Sequence, residues 1–390
     1  MQKMTSFTIK KSKFLEFYLI GFLLILVIYL GEFSLPKEIT DEPKSNSIFL
    51  IIANIVLFFV IFKKQKRIVS SLLFNKLFLL YLTTLFVLIF FRIDKIKELR
   101  SFIHLLLTYL LVFQVSSIMH SIEFVKLVKY LSNYLTIVLL LCLLVFLNNY
   151  GQIYFFEHKS ASRLGGLFFF GSTAIIAGFC MLINVFLYSR KVERLFTAFK
   201  ILFSFIILLA TDTRMVILIT ILSSVFILFW ERRKMILTIL IIGGISFNMY
   251  NVMTEKDKKS QVEDDYEFRT LIWGTTIIKI RDRFLIGYGQ ENPFENMLKS
   301  KVDYLQDPHS AYLSIVLRQG IIAAALLFLF YYKKLKENFN VISILVLYYF
   351  LSVIVGTELF LGNLEYINVL FNITLFGLLL HPDMKILRHI

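Results

Sequence analysis

The sequence predicts an all-α integral membrane protein with about twelve transmembrane helices and one large extracytoplasmic loop that carries an amphipathic helix. Of its 390 residues, 58% are hydrophobic and only 18% are charged, whereas soluble domains carry about 25% charged residues. Long apolar runs alternate with short charged segments, and the prolines lie between or at the ends of those runs, where they break no helix. We therefore expect residues 1–390 to form a single polytopic membrane domain.

Twelve apolar runs approach the length of about 20 residues that a helix needs to cross a bilayer. The predicted spans are 14–31, 46–62, 72–91, 102–119, 134–149, 167–188, 195–210, 215–230, 235–253, 311–332, 341–357 and 364–380. The sequence after the first run has no small-x-small cleavage pattern, so we expect that run to remain as a span.

The distribution of Lys and Arg predicts the orientation. The formal net charge is +15, and basic residues are most numerous in the short loops on the side of the N-terminus. Because such loops stay in the cytoplasm, we expect both termini to be cytoplasmic. The same bias explains the positive charge without a nucleic-acid partner. Cys142 and Cys180 lie in apolar runs and indicate neither a disulfide framework nor a zinc site.

Residues 254–310 form the predicted large loop, between the ninth and tenth spans. Apolar residues recur there at helical spacing, namely Trp273, Ile277, Ile280 and Phe284. Another face of the same stretch is polar or basic, namely Arg269, Thr276, Lys279 and Arg283. This pattern predicts an amphipathic helix that contacts membrane lipid at the outer surface, although it could be a simple anchor. The acidic run Glu263-Asp264-Asp265 is interpreted as a solvated charge cluster.

The end of this loop predicts an anion site. Asp307 is a favoured N-cap residue and Pro308 a favoured first helical residue, which would place His309 in the first turn of the tenth span. Free N–H groups and the positive end of the helix dipole attract anions there, beside an imidazole that titrates near neutral pH. The alternative is that His309 only caps the helix or forms a local hydrogen bond.

Two further residues of the tenth span have predicted roles. Gly320 lies on the same helical face as His309, where it would allow close helix packing. Arg318 points to the opposite face within the apolar slab, where a charge is costly and usually functional. We interpret Arg318 as a structural or secondary-site residue, with Glu358 and Glu365 as candidate partners.

Three arginines are predicted on the same side of the membrane as His309. Arg163 precedes the sixth span, Arg214 begins the eighth after a very short turn, and Arg269 lies in the loop helix. Arg163 and Arg214 could each simply extend to lipid headgroups. Together, the guanidinium groups match phosphate oxygens and stay charged.

The ordered series of motifs over about residues 160–335 resembles the O-antigen polymerase and O-antigen ligase superfamily. The series is Arg163-x-Gly165, Thr213-Arg214, Arg269-x-x-x-Trp273, Gly287-x-Gly289, His309-Ser310-x-Tyr312-Leu313 and Gly320. The resemblance implies a membrane glycosyltransferase of the C type in the bacterial inner (cytoplasmic) membrane. Its substrate would be a sugar chain carried by undecaprenyl pyrophosphate on the outer leaflet.

The resemblance also implies roles for individual residues. His309 would be the catalytic residue, and Arg214 and Arg269 would bind the pyrophosphate. The remaining positions are Arg163 and Tyr312 as further pyrophosphate-binding residues, and Ser310 and Arg318 as secondary candidates. Ser310 stands where the family commonly has Asn. A chain-length regulator and a flippase are partners that the family alone implies.

Glycosyl transfer from a pyrophosphate requires a base for the acceptor hydroxyl and a stabiliser for the leaving group. An imidazole suits the first task and arginines suit the second. Because the chain has no D-x-D motif in a plausible pocket, we expect a metal-independent reaction without a cofactor.

The favoured hypothesis is a polymerase that makes O-antigen or capsule. One alternative is a ligase that transfers the glycan to lipid A core. Another is a flippase or transporter, although the sequence indicates neither paired halves nor broken helices.

Overall fold

A computed structural model of the protein describes residues 52–55, 75–150, 164, 170–230, 263–289, 310–352 and 366–381. The helices are α1 Lys76–Ile89, α2 Lys95–Met119, α3 Phe124–Tyr150, α4 Phe170–Ser189, α5 Arg194–Ala210, α6 Arg214–Leu228, α7 Glu263–Asp282, α8 Ala311–Glu337, α9 Ser343–Ser352 and α10 Tyr366–Ile373. A π-helical segment, Thr374–Leu379, continues α10. The first and ninth predicted spans lie outside the described residues, as does most of the second.

The described ranges contain helices and turns but no strand. Four helical stretches in them are long and apolar enough to cross a membrane. By length and composition, these stretches are Lys95–Met119, Phe124–Asn148, Ser172–Ser189 and Ala311–Glu337, of which the last is divided at Gly320. They confirm the prediction of an all-α protein that crosses the membrane several times. The total of twelve spans stays a prediction.

The described helices run between two ends of a bundle. At one end, residues 90–94 join α1 to α2, and Asp94 caps α2 by accepting a hydrogen bond from the Lys97 N–H at 3.1 Å. This bond keeps the pKa of Asp94 below its usual value. We call this end the junction end. At the opposite end, His120 follows α2, and its ring lies 5.5 Å from that of His381 between centroids. We call that end the histidine end.

Aromatic side chains fill the centre of the bundle. The Phe78 ring of α1 packs edge-on against Tyr109 and Phe113 of α2, with centroid distances of 4.7 and 5.5 Å. It also lies 5.3 Å from the ring of Phe330 in α8. The hydroxyls of Tyr109 and Tyr331 are 2.9 Å apart, which pairs two buried polar groups. This core fixes α1, α2 and the later part of α8 side by side.

α8 is not one straight helix. Gly320 within it has φ 78° and ψ 164°, a conformation that essentially only glycine adopts. The ring centroids of Tyr312 and Phe328, on either side of Gly320, are 5.6 Å apart. On a continuous helix these two residues would be about 24 Å apart. The chain therefore folds back at Gly320, and residues 311–319 and 321–337 form two half-helices that pack against each other.

This reversal corrects the predicted tenth span, 311–332, which assumed a continuous helix and gave Gly320 only a packing role. Apolar runs lie on both sides of Arg318-Gln319-Gly320, and their hydrophobicity does not distinguish a reversal from a continuous span. Ala311, Ser314 and Ile315 in the first half-helix are fully buried. The first half-helix is thus a re-entrant segment enclosed by the bundle.

Candidate active site

The segment after α7 holds the break in α8. Three backbone hydrogen bonds connect the two: Tyr288 N–H to the Leu317 carbonyl at 2.8 Å, Gly289 N–H to the Arg318 carbonyl at 2.8 Å, and Ile321 N–H to the Phe284 carbonyl at 2.9 Å. These bonds satisfy backbone groups that the break deprives of helical partners. We call residues 284–289 and 317–321 together the junction.

Three glycines make the junction possible. Gly287 and Gly289 both have φ 64°, and Gly320 has φ 78°. A Cβ atom on Gly287 would lie 2.5 Å from the Arg318 carbonyl oxygen, and one on Gly320 would lie 2.2 Å from the Leu285 carbonyl oxygen. Only a residue without a side chain permits both this backbone conformation and this approach.

A buried ion pair from the α1–α2 region lies against the junction. Arg92 Nη1 pairs with the Glu98 carboxylate, and Arg92 Nη2 donates to the Ile286 carbonyl at 3.2 Å and the Arg318 carbonyl at 2.9 Å. The two side chains are 8% and 5% exposed. A Cβ atom on Gly289 would lie 2.0 Å from a Glu98 carboxylate oxygen. Arg92 therefore connects the α1–α2 turn, the segment after α7 and the first half-helix of α8.

The first half-helix begins later than predicted. Its N-cap is Ser310, with φ −150° and ψ 116° and no capping bond from its side chain, and Ala311 is its first residue. The expectation that Asp307 and Pro308 start the helix, with His309 in its first turn, is therefore wrong. Ser310 is itself a favoured N-cap residue and adopts the extended backbone that the cap requires. His309 lies outside the described residues and directly precedes this cap.

The start of the half-helix lies inside the bundle. Ser310 is buried, and the Tyr312 hydroxyl donates to the Phe350 carbonyl of α9 at 2.6 Å. Because the chain reverses at the junction, this start is set back from the junction end rather than at its rim. The Ser314 hydroxyl is buried and has no hydrogen-bond partner among the described residues. Such a group is available to a ligand or a water molecule.

The turn that carries Arg214 agrees with the sequence prediction. α5 ends at Ala210 and α6 begins at Arg214. The Arg214 side chain is 74% exposed, and its Nε lies 4.0 Å from Asp212 Oδ1. Arg163 lies outside the described residues. Its chain neighbour Leu164 donates its N–H to the Ala210 carbonyl at 3.0 Å, which fixes Leu164 at the turn that precedes Arg214.

α7 packs on the junction through a face to which the sequence assigned no role in packing. Ile272 and Thr276 are fully buried, and Ile280 packs against Tyr288 and Leu317. Ile277, which belongs to the face predicted to contact lipid, is 57% exposed, and the lipid contact stays a prediction. The helix packs on the junction, so its tertiary contacts select a neighbouring stripe.

Two remaining predicted site residues are only partly described. Arg269 belongs to α7, but its side chain lies outside the described set. Arg318 is half-buried, and its carbonyl accepts hydrogen bonds at the junction. Its candidate partners Glu358 and Glu365 lie outside the described residues.

Sequence reasoning missed Arg92 and Glu98. Neither belongs to a recognisable motif, and their pairing becomes evident only when the α1–α2 turn meets the junction. One sign was available, because Arg92 lies in a very short turn between apolar runs, as Arg214 does.

Comparison with known proteins supports the family resemblance. Residues 199–328 match the family model described as O-Antigen ligase. The matched range includes Arg214, Arg269, His309 and Tyr312, and it leaves Arg163 outside. No curated protein matches the chain. The family match supports the O-antigen polymerase and ligase superfamily, whose members are membrane glycosyltransferase-like enzymes.

Proposed function

We propose that this member of the O-antigen polymerase and ligase superfamily is a polysaccharide polymerase. It transfers the growing glycan from undecaprenyl pyrophosphate to a hydroxyl of the next lipid-linked repeat unit, making O-antigen or capsule. The observation that carries the proposal is the family match over residues 199–328. That range covers the whole re-entrant half-helix and the residue His309 before it.

His309 is the proposed general base. It accepts the proton of the acceptor hydroxyl while that oxygen attacks the anomeric carbon, and the bond from this carbon to the pyrophosphate oxygen breaks. The start of the half-helix supports this assignment, because its first N–H groups and its dipole favour negative charge close to His309. An imidazole also exchanges protons near neutral pH.

Arg214 and Arg269 are proposed to bind the pyrophosphate and stabilise the charge that grows on it as it leaves. The exposure of the Arg214 side chain supports this role, because an exposed guanidinium fork can meet phosphate oxygens. Arg163 completes the proposed set. Tyr312 is proposed to line this site with its ring, because its hydroxyl is already bonded to the Phe350 carbonyl of α9. Ser310 and Arg318 remain secondary candidates.

The proposed setting is the bacterial inner membrane, with twelve spans, cytoplasmic termini and the loop 254–310 on the extracytoplasmic side. The junction end then faces outwards. The reaction is proposed to be metal-independent and of the C type, with arginines in the place of a divalent ion. A chain-length regulator and a flippase are the proposed partners.

A chain-extension assay tests the proposal. The purified protein, reconstituted in liposomes with undecaprenyl-linked repeat units, should produce a ladder of polymer. His309→Ala should lower the rate by about 100-fold or more. His104→Ala, which removes a half-buried imidazole from α2, is the matched control and should extend chains at the normal rate. Equal polymer length from a folded His309→Ala protein would remove the catalytic assignment.

Two further measurements test the leaving-group role. Arg269→Lys should be severely impaired, because a point charge cannot replace a planar fork. Activity should persist in EDTA, and a loss that magnesium restores would contradict the metal-independent reaction.

The alternatives predict different products. A ligase would leave long polymer on undecaprenyl when the gene is deleted, whereas loss of a polymerase leaves single repeat units on the outer leaflet. A flippase remains the second candidate, because transporters often contain discontinuous helices and α8 is discontinuous at Gly320. Its loss would leave repeat units on the inner leaflet.

A further inference from the structure

We infer that Arg92 is a positioning residue for the proposed active site: it fixes the junction end of the re-entrant half-helix that begins next to His309. This inference rests on the proposed catalytic role of His309. It assigns a function to a part of the chain, before α2, that lies outside the family match.

Arg92 occupies the point where the half-helix ends. The last carbonyls of residues 311–319 face the junction, and the Arg318 carbonyl accepts the Arg92 Nη2–H at 2.9 Å. A cation is favourable at the C-terminal end of a helix. The same nitrogen also bonds the Ile286 carbonyl, so one planar group determines the separation of the two segments. A lysine ammonium lacks this fork.

The half-helix depends on such outside support. A helix as short as residues 311–319 is unstable in isolation, and the break at Gly320 separates it from the second half-helix. Other contacts hold it at points along its length: Tyr312 bonds the Phe350 carbonyl, and the Gln319 side chain accepts from the Tyr81 hydroxyl at 3.2 Å. Arg92 holds its last turn to the segment after α7.

Glu98 offsets the energetic cost of burying the Arg92 guanidinium. A buried guanidinium without a counter-charge is strongly disfavoured, and the Glu98 carboxylate pairs with it. Gly289 lies against this carboxylate, with no room for a Cβ atom. The charge pair and the glycine turn are therefore one structural unit. A shift in this unit would tilt the half-helix and displace His309 at its far end.

The test compares Arg92→Lys and Glu98→Gln with Arg100→Lys, which changes an exposed arginine of α2, the helix that carries Glu98. Hydrogen exchange is measured at the amides of Tyr288 and Gly289, which donate across the junction, and at α4 and α6 as a reference for folding. Chain extension is measured in the same liposomes. Both junction variants should exchange at least about tenfold faster at Tyr288 and Gly289, and normally in the reference helices.

Activity separates positioning from simple stability. For both junction variants we expect kcat to fall by about 100-fold, with a much smaller change in KM for the lipid-linked substrate, while Arg100→Lys behaves as the unchanged protein. Unchanged exchange at the junction would overturn the inference, and so would raised exchange with normal kcat. If Arg92→Lys does not fold, Glu98→Gln decides by the same two readouts. An unchanged protein that never extends chains would instead overturn the proposed function.

Discussion

The two ends of the bundle are held together by different kinds of contact. At the junction end, three glycines with positive φ and a buried arginine–glutamate pair join segments far apart in the sequence. At the histidine end, the α4–α5 turn also holds positive φ, at Lys191 (61°) and Glu193 (41°), but the contacts described there are single bonds and an exposed ion pair. His120 Nε2–H donates to the Phe376 carbonyl at 2.8 Å, His381 Nε2–H donates to the Ile122 carbonyl at 2.8 Å, and an exposed pair joins Lys129 to Glu193.

This difference indicates where the protein accepts costly structure. Irregular backbone in a membrane protein has to be covered by protein, because lipid cannot satisfy its N–H and carbonyl groups. Strained conformations and buried charges tend to accumulate at functional sites. In the described part of the chain, the junction joins irregular backbone to the buried Arg92–Glu98 pair, next to the half-helix that follows the proposed catalytic residue.

The largest effect is expected from replacing Gly320, the glycine at which α8 reverses. Gly320→Ala would force a side chain into a conformation that costs about 1–3 kcal/mol and into contact with the Leu285 carbonyl. We expect the free energy of unfolding to fall by about 3 kcal/mol or more, and chain extension to be lost. Gly274→Ala is the control, since nothing lies within 4 Å of the added Cβ. Equal melting temperatures for the two variants in detergent would contradict the described break.

At the histidine end, we expect the free energy of unfolding to depend on pH. The pKa of His120 is lowered to about 4, mainly by burial and to a lesser extent by the nearby His381, although the bond to the Phe376 carbonyl opposes the shift. The unfolded chain binds this proton at a higher pH than the folded chain does. The free energy of unfolding is therefore highest above about pH 6.5 and falls progressively as the pH drops to about 4. The total is on the order of 3 kcal/mol.

The measurement is the melting temperature in detergent between pH 7 and pH 5, for the unchanged protein and for His120→Gln. The unchanged protein should lose stability on acidification more steeply than the variant. Parallel curves would show that His120 does not titrate in this way.

A smaller effect is expected midway between the two ends. Tyr331→Phe removes the hydroxyl that donates to Asn372 Oδ1 at 2.8 Å and that pairs with Tyr109. The loss should be about 1–2 kcal/mol in unfolding free energy, because two buried polar groups lose a partner. Tyr332→Phe changes a ring that is 60% exposed and should have no effect. A Tyr331→Phe protein as stable as this control would contradict the network.

The smallest effect concerns the exposed ion pair. Lys129 Nζ lies 2.5 Å from Glu193 Oε1, and the two side chains are 36% and 53% exposed. The Lys129 ammonium lowers the pKa of Glu193, but water screens such pairs. Glu193→Gln should leave the melting temperature unchanged, in contrast to Glu98→Gln at the junction end. A comparable fall in melting temperature for both variants would contradict the proposed difference between the buried and the exposed ion pair.

Several features were predictable from local sequence. The apolar runs gave the all-helical membrane class, because backbone groups in lipid require helices. The start of α6 at Arg214 followed from its short turn of small polar residues. The packed face of α7 was not predictable, since Ile272 and Trp273 are both apolar and only the contact with the junction selects between their stripes. The predicted start of α8 was wrong because Asp307 and Ser310 are both favoured N-cap residues. The local sequence does not indicate which of the two caps the helix.

The sequence by itself determined that the chain enters the membrane as helices and that arginines and one histidine occur within or near residues 254–310, the predicted loop. The free energy of transferring a side chain into the membrane depends mainly on that side chain. Membrane insertion and orientation can therefore be predicted from the residues individually. Only the tertiary structure decided that α8 reverses at Gly320 and that Arg92 and Glu98 close the junction. Both features depend on hydrogen bonds between atoms that are distant in sequence, and no local sequence pattern predicts such contacts.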